Sequence, residues 1–109
     1  REGFARVRHV GGGCLLLRRE ALEQVAAAYP ELAGTGYRDA EVPEYPGLGV
    51  FNRLDQADGP PLRGDFAFCR RWRDSGGEIW ADVVSPVAHL ALGRTRASWA
   101  EWMSSKAAA

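Results

Sequence analysis

The sequence predicts an α+β fold: a small mixed sheet of short strands with two or three helices packed against it. One helix is indicated by apolar residues at helical spacing between Arg19 and Tyr29, and a second by an acidic start and a Gly-Gly stop around Asp65 to Ser75. Short apolar or alternating segments around these helices are typical of strands. With 109 residues, 46% of them hydrophobic, the chain is long enough for one small core. We therefore expect residues 1–106 to form a single domain, and we interpret residues 107–109, all alanine, as a cloning remnant.

The composition argues against several classes of function. Fourteen basic and fourteen acidic residues give no net charge, which argues against a general nucleic-acid binder. No apolar run approaches the roughly 20 residues that a membrane span needs, and no signal-peptide pattern is present. Cys14 and Cys69 could form one disulfide, but a reduced pair is the simpler interpretation. We expect a cytoplasmic protein with no membrane span, and the start at Arg1 instead of Met is typical of a fragment.

The first helix carries one apolar stripe. Its members recur at i, i+3, i+4 and i+7: Leu22, Val25, Ala26 and Tyr29. The negative charge of Glu20 suits the positive end of the helix dipole, and Pro30 ends the helix because the residue before a proline is pushed out of helical geometry. The stripe predicts core packing rather than a ligand site.

Short strands and a last helix complete the predicted fold. The strands are expected at residues 7–10, 14–17, 50–51, 78–82 and 87–92, and the helix at residues 98–106. Three glycines at 11–13 precede the second of these strands. They would let another backbone or a ligand approach closely, although a tight bend is the plainer interpretation.

The second helix combines an apolar face with a run of cations. Phe68, Cys69 and Trp72 share one face and should pack inward. The run Arg-Arg-Trp-Arg at 70–73 combines cations with an aromatic ring, a combination that is used on single-stranded nucleic acid. On an amphipathic helix the same run is more simply a buried tryptophan flanked by solvated arginines. We therefore expect no nucleic-acid partner.

A long irregular segment between Gly34 and Gly49 offers candidate binding residues. Loops of this length in small domains are often functional. Tyr37, Asp39 and Tyr45 could contact a sugar acceptor there, because aromatic faces stack on the apolar faces of sugars. The alternative is an ordinary surface loop.

Two further residues have both a functional and a structural interpretation. Asp65, at a helix start, could be a general base within reach of an attacking hydroxyl, or it could cap the helix. His89 lies in an apolar run and could be a metal ligand or a hydrogen-bonded core residue. From the residues alone, the structural interpretation is favoured for both.

Three segments in a fixed order carry a family resemblance. A glycine-rich strand runs into an arginine-containing helix start at residues 12–20, GGCLLLRRE. An acidic residue then opens a helix at residues 64–71, GDFAFCRR, and a strand at residues 78–82 and the late histidine His89 follow. This order resembles the carboxyl-terminal, acceptor-side half of GT-A-type, family-2-like glycosyltransferases. The likeness covers residues 11–93.

The resemblance implies roles for several residues. Asp65 matches the acid that serves as catalytic base and deprotonates the acceptor hydroxyl in inverting members. His89 matches a histidine that helps to hold a divalent metal ion, Mn or Mg. The remaining expected substrate-binding residues are Arg70 and the loop residues Tyr37, Asp39 and Tyr45. We also expect Asp65 and His89 to face each other across one cleft.

The chain departs from the family pattern at two points. The family's Glu-Asp pair is Gly64-Asp65 here, so one acceptor-side carboxylate is missing. The Asp-x-Asp motif that holds metal and nucleotide diphosphate is also missing, since Asp39-Ala40-Glu41 has the spacing but lies in a proline-rich segment. The resemblance therefore implies part of an enzyme that transfers sugar from a nucleotide-sugar. We expect the isolated chain to be inactive and not to bind such a donor.

The alternative function is a non-catalytic protein-interaction module derived from the same fold. Four tryptophans are many for a domain of this size, and Trp99, Trp102 and Met103 form a stripe with few obvious partners in the chain. Aromatic side chains dominate interface energetics, and an amphipathic helix can pack across a two-fold axis. We expect a homodimer through this stripe, or docking of a missing amino-terminal half.

Overall fold

The structure, a computed structural model, describes residues 2–36 and 47–108. Within these ranges the chain forms three α-helices and four short strands, which confirms the predicted α+β class. In chain order they are β1 (Phe4–Val7), α1 (Arg19–Ala28), α2 (Gly64–Asp74), β2 (Ile79–Asp82), β3 (Val87–Leu90), β4 (Arg94–Ala97) and α3 (Trp99–Ala107). Single turns of 3₁₀ helix lie at Gly12–Cys14 and Pro30–Leu32.

The strands form two separate ladders of two strands each. β1 pairs with β2, and β3 pairs antiparallel with β4, in a register that runs from Val87 opposite Ala97 to Leu90 opposite Arg94. The chain divides into two compact units, one from Val7 to Ile79 and the other from the residues before and after that range. Each unit is described by itself below.

The core of the larger unit joins α1 and α2. Val25, Val50 and Phe68 are buried, and the side chains that pack around them are Leu17, Leu22, Tyr29 and Trp72. The apolar stripe of α1 therefore faces the core as predicted. Phe51 adds a stacked ring to the cluster, with its centroid 5.1 Å from that of Phe68.

Arg71 is the charged residue at the centre of this unit. Only 3% of its surface is exposed, and its guanidinium donates to three backbone carbonyls, those of Val50 (3.0 Å), Asn52 (2.5 Å) and Arg53 (3.2 Å). The guanidinium also lies 5.9 Å from the centre of the Tyr29 ring. Burial lowers the pKa of Arg71 from its ordinary value. The arginine run of α2 is therefore not wholly solvated, because this member ties α2 to the turn around residue 50.

Two glycines end α2 as predicted. Gly76 has φ +93°, a backbone conformation that favours glycine after a helix. A side chain at Gly77 would collide with the indole of Trp72, whose ring nitrogen donates to the carbonyl of Glu78 at 2.9 Å. The Gly-Gly stop thus both ends the helix and leaves room for the tryptophan.

Three of the predicted strands are wrong or displaced. Residues 14–17 begin in a 3₁₀ turn and continue without a strand partner, and Leu16 is 97% exposed while Leu17 packs on the core. Residues 50–51 lie in a turn, where Val50 is buried without being part of a strand. The first strand lies at Phe4–Val7 instead of 7–10. An apolar run indicates burial, but a strand also needs a neighbour for its backbone hydrogen bonds.

The smaller unit contains the β3–β4 hairpin and α3. Both strands of the hairpin are exposed along their whole length. Ser98 and Glu101 form a reciprocal capping box at the start of α3, in which each side chain accepts a hydrogen bond from the other residue's backbone. The helix continues to Ala107, so the first of the terminal alanines is helical.

Among residues 2–36 and 47–108, no helix is both long enough and apolar enough to cross a bilayer.

Replacing Arg71 by Met should lower the free energy of unfolding by about 3 kcal/mol, because buried carbonyls lose a charged donor and water cannot easily replace it. Arg70→Met is the matched control. It removes a partly exposed ion pair to Asp74 and should cost less than about 1 kcal/mol. Urea unfolding followed by circular dichroism measures both values. Equal losses in the two variants would contradict the structural role assigned to Arg71.

Candidate functional site

The segment before the first helix lies along one side of α2. The backbone N–H of Gly12 donates to the carboxylate of Asp65, and the thiol of Cys69 donates to the carbonyl of Val10 at 3.8 Å. The ring of His9 lies 4.9 Å from the ring of Phe66. These contacts bring together two of the motifs that carry the family resemblance, although more than 50 residues separate them in the sequence.

Asp65 lies in the first turn of α2, and Arg63 occupies the N-cap position. One carboxylate oxygen accepts from its own helix, from the N–H of Phe66 at 2.9 Å, and the other accepts from Gly12 at 2.5 Å. Each carboxylate oxygen can accept two hydrogen bonds, so a lone pair remains on each oxygen. The side chain is therefore held in place by two backbone donors, yet it can still accept a proton or a further hydrogen bond.

Glycine at position 12 permits this contact. A Cβ atom there would lie 3.2 Å from the nearer oxygen of Asp65, which is closer than most such contacts. A larger side chain would have to push the carboxylate away. The glycine run enters a 3₁₀ turn at Gly12–Cys14, as the interpretation of a tight bend expects, and the group that approaches Gly12 closely is the side chain of Asp65.

Gly64 lies at the position where the resemblance would expect a glutamate. It has φ +55°, in the left-handed region that a glutamate would enter only with strain. The local backbone therefore favours glycine at this position. Asp65 remains as the carboxylate of this turn.

His9, whose ring packs on Phe66 of α2, is a residue that sequence reasoning did not select. Burial lowers its pKa, and the positive charges of Arg73, Arg70 and Arg8 lower it further. The imidazole is therefore neutral at pH 7. The sequence offered one indication that His9 lies near α2, because His9 is two residues before the glycine run that contacts this helix.

Arg70 and Cys69 also lie on α2, and Cys14 lies in the 3₁₀ turn before α1. Arg70 pairs with Asp74 one turn later, with Nε 3.0 Å from a carboxylate oxygen, and its side chain is 39% exposed. Cys14 is exposed and Cys69 is buried, and both thiols are free. Burial raises the pKa of Cys69. Cys69 therefore serves packing rather than chemistry, as an inert buried thiol.

His89 lies on β3, opposite Thr95 of β4, and is exposed. The interpretation of His89 as a hydrogen-bonded core residue is therefore wrong. His89 belongs to the smaller unit and Asp65 to the larger one, so their expected meeting across one cleft stays a prediction.

Three of the predicted substrate-binding residues lie outside the described residues: Tyr37, Asp39 and Tyr45.

The metal predicted from the resemblance needs more ligands than His89 alone. Within the two described ranges, no group of three or more His, Cys, Asp or Glu side chains is close enough to hold a metal ion. Structural and catalytic metal sites in proteins draw on several such ligands. Mn or Mg binding therefore stays a prediction, and no chemical step is derived through a metal below.

Comparison with known proteins adds no family assignment: the chain matches no family model, no curated protein and no solved structure. The resemblance to glycosyltransferases rests on the three motifs and their order.

The stability of the protein should fall as the pH drops from about 7.5 to about 5.5, through the ordinary histidine pKa of about 6.5. Folding lowers the pKa of His9, so the unfolded chain takes up more protons than the folded chain between the two pKa values. The contribution of His9 to the free energy of unfolding is fully present above the unfolded pKa and is lost completely below the lower pKa of the folded protein. Urea unfolding at the two pH values, with His9→Gln as the comparison, should show a smaller loss in the variant. An equal loss in both proteins would contradict this assignment.

Proposed function

We propose that this chain is the acceptor-binding portion of a glycosyltransferase, with Asp65 as the base that deprotonates the acceptor hydroxyl. The observation that carries the proposal is the contact between Asp65 and the backbone of Gly12. It joins the glycine-rich segment to the acid at the start of α2, and these are two of the three motifs on which the resemblance depends.

The contact suits the chemistry of a general base. A base must be held within hydrogen-bond reach of the proton that it removes, and it must keep a free lone pair. Two backbone N–H groups orient the carboxylate of Asp65, and each oxygen keeps one lone pair. The start of α2 also favours the negative charge, because the helix dipole is positive there.

The proposed step is a proton transfer coupled to substitution. The acceptor hydroxyl gives its proton to a carboxylate oxygen of Asp65, and the acceptor oxygen forms a bond to the anomeric carbon of the donor sugar. The bond from that carbon to the nucleotide diphosphate breaks, and the diphosphate leaves with the bonding electrons. The diphosphate needs cationic stabilisation, and the sequence holds no Asp-x-Asp motif to supply it. We therefore assign acceptor binding and proton removal to this chain, with no transfer by the isolated chain.

The proposal predicts that the chain binds a carbohydrate beside Asp65. An array of neutral and acidic glycans identifies binders, and ¹H–¹⁵N titration of each binder should shift the amides of Gly12 and Phe66. Asp65→Asn keeps an oxygen that can accept from Gly12 but removes the charge, so the affinity should fall about tenfold. Asp58→Asn is the matched control, because it removes an exposed acid of the same unit that lies in the loop before α2.

Two results of this titration would contradict the proposal. One is that no glycan on the array binds. The other is a glycan whose binding leaves the amides of Gly12 and Phe66 unshifted, or whose affinity falls equally in Asp65→Asn and Asp58→Asn.

We propose a protein-interaction module as the second candidate function, and the exposed face of α3 favours it. Trp99 is 55% exposed, Trp102 52% and Met103 41%, and all three lie within one turn and a half of the helix. Lys106 lies over the Trp102 ring at 5.6 Å and leaves much of that ring open. Large exposed aromatic residues are the common anchors of protein interfaces. The proposed occupant of this face is a second copy of the same helix.

The module predicts a homodimer in solution that depends on Trp102. Light scattering at micromolar concentration should give twice the mass of the chain, and Trp102→Ala should give the monomer mass, since the anchor is lost. Val87→Ala, another exposed apolar residue of the same unit, is the control and should leave the dimer intact. A monomer mass for the unaltered chain would rule out this arrangement.

A further inference from the structure

One side of α2 carries cations as well as Asp65. Successive residues of a helix are turned by about 100°, so one side of α2 is formed by positions 65, 66, 69, 70 and 73. Phe68 and Arg71 point the other way, into the core. Arg70 and Arg73 therefore lie on the side of the helix along which the segment from His9 to Gly12 runs.

The same segment adds a third arginine. The ring of His9 packs on Phe66 with 4.9 Å between centroids, and Arg8 precedes it. Phe66, Arg70 and Arg73 follow one another at i, i+4 and i+7, which is a single line on a helix surface. Arg70 and Arg73 thus share a line of α2 with the residue on which His9 packs, and Arg8 is next to His9 in the chain. The lowered pKa of His9 agrees with this arrangement, since all three arginines contribute to it after burial.

The positive charges of this cluster are only partly compensated. Asp74 pairs with Arg70, while the carboxylate of Asp65 is hydrogen-bonded to backbone groups and not to an arginine. Within residues 2–36 and 47–108, neither Arg8 nor Arg73 has an ion-pair partner, and the buried Nε of Arg73 has no hydrogen-bond partner. Three guanidinium groups therefore accompany two carboxylates, and the excess of positive charge favours a bound anion here.

We propose that Arg8, Arg70 and Arg73 bind an oxyanion that is part of the sugar acceptor. The planar fork of arginine matches the oxygens of both phosphate and carboxylate, and charge-assisted hydrogen bonds of this kind are among the strongest in proteins. His9, uncharged at pH 7, adds a ring nitrogen to the cluster without adding repulsion between cations. The inference rests on the proposed function, because it takes the hydroxyl end of the acceptor to lie at Asp65.

The spacing along α2 sets the size of this acceptor. Asp65 and Arg73 are eight residues apart, which is about 12 Å along a helix that rises 1.5 Å per residue. That distance is longer than a single pyranose ring. An acceptor that reaches from Asp65 to the far end of the cluster would span more than one sugar unit, so an acidic disaccharide is the acceptor class to test.

The test compares charged and neutral disaccharides on the isolated chain. Trehalose 6-phosphate supplies a phosphate and lactobionate a carboxylate, and trehalose and lactose are their neutral parents. In ¹H–¹⁵N titrations, at least one charged probe should shift the amides of His9, Gly12 and Arg73. Arg8→Gln and Arg73→Gln should each weaken its binding about tenfold. Arg94→Gln, on the exposed strand β4, is the matched control and should bind as the unaltered chain does.

Arg8 is exposed, so Arg8→Gln tests the cluster even where Arg73→Gln disturbs packing. The inference is overturned when no charged probe binds, when the neutral parents bind equally well, or when inorganic phosphate alone binds as tightly as the charged disaccharides. Asp65→Asn separates the two proposals. A charged probe whose affinity depends on Arg8 and Arg73 but is unchanged in Asp65→Asn would leave the anion site standing and remove the catalytic role of Asp65.

Discussion

The larger unit depends on one buried cation. Arg71 has almost no contact with solvent; among residues 2–36 and 47–108 no carboxylate is hydrogen-bonded to it, and its guanidinium donates to three backbone carbonyls. Their dipoles and the face of Tyr29 supply the negative potential that a buried guanidinium requires. Those carbonyls belong to a turn that lies outside the strands, so they need another hydrogen-bond donor. Arg71 supplies the donors, and the carbonyls supply the acceptors that its guanidinium needs. Val50 enters the core at this turn, and these hydrogen bonds hold it there.

The candidate site follows from the same constraint. With Phe68 and Arg71 committed to the core, the rotation of α2 about its axis is fixed. Asp65, three residues before Phe68, then lies at the edge of the buried face, where the backbone of Gly12 reaches it. The position of the cations that accompany Asp65 is therefore a consequence of how the helix is packed. Within the described part of the chain, the segment from His9 to Gly12 lies against this part of α2.

The sequence predicted the parts of the fold that are local. The helices α1 and α2 have a clear periodicity and a recognisable end. Their first and last residues were therefore predicted to within one residue. The strand β4 was missed because Arg94, Thr95 and Arg96 have no apolar pattern, and the strand exists only through its pairing with β3. The burial of Arg71 was also missed. Arg71 lies three residues after Phe68, on the same helical face, and this spacing could have indicated burial. Asp65 was found from its motif, but its partner Gly12 was not, since nothing in a sequence encodes which distant backbone N–H a carboxylate will meet.

The distance in sequence between Gly12 and Asp65 also bears on how the protein acquires its site. Contacts between residues far apart in the chain form late, because the intervening loop must first be closed at a cost in entropy. The helices can form from local interactions, whereas the pairing of the carboxylate with the glycine backbone requires both ends of the larger unit to be in place. The candidate site is therefore expected to form at the last stage of folding. In a newly made chain the helices would form before the contact between Gly12 and Asp65. A ligand that recognises the candidate site would bind only molecules in which this contact has formed, and it would shift the equilibrium toward them by mass action.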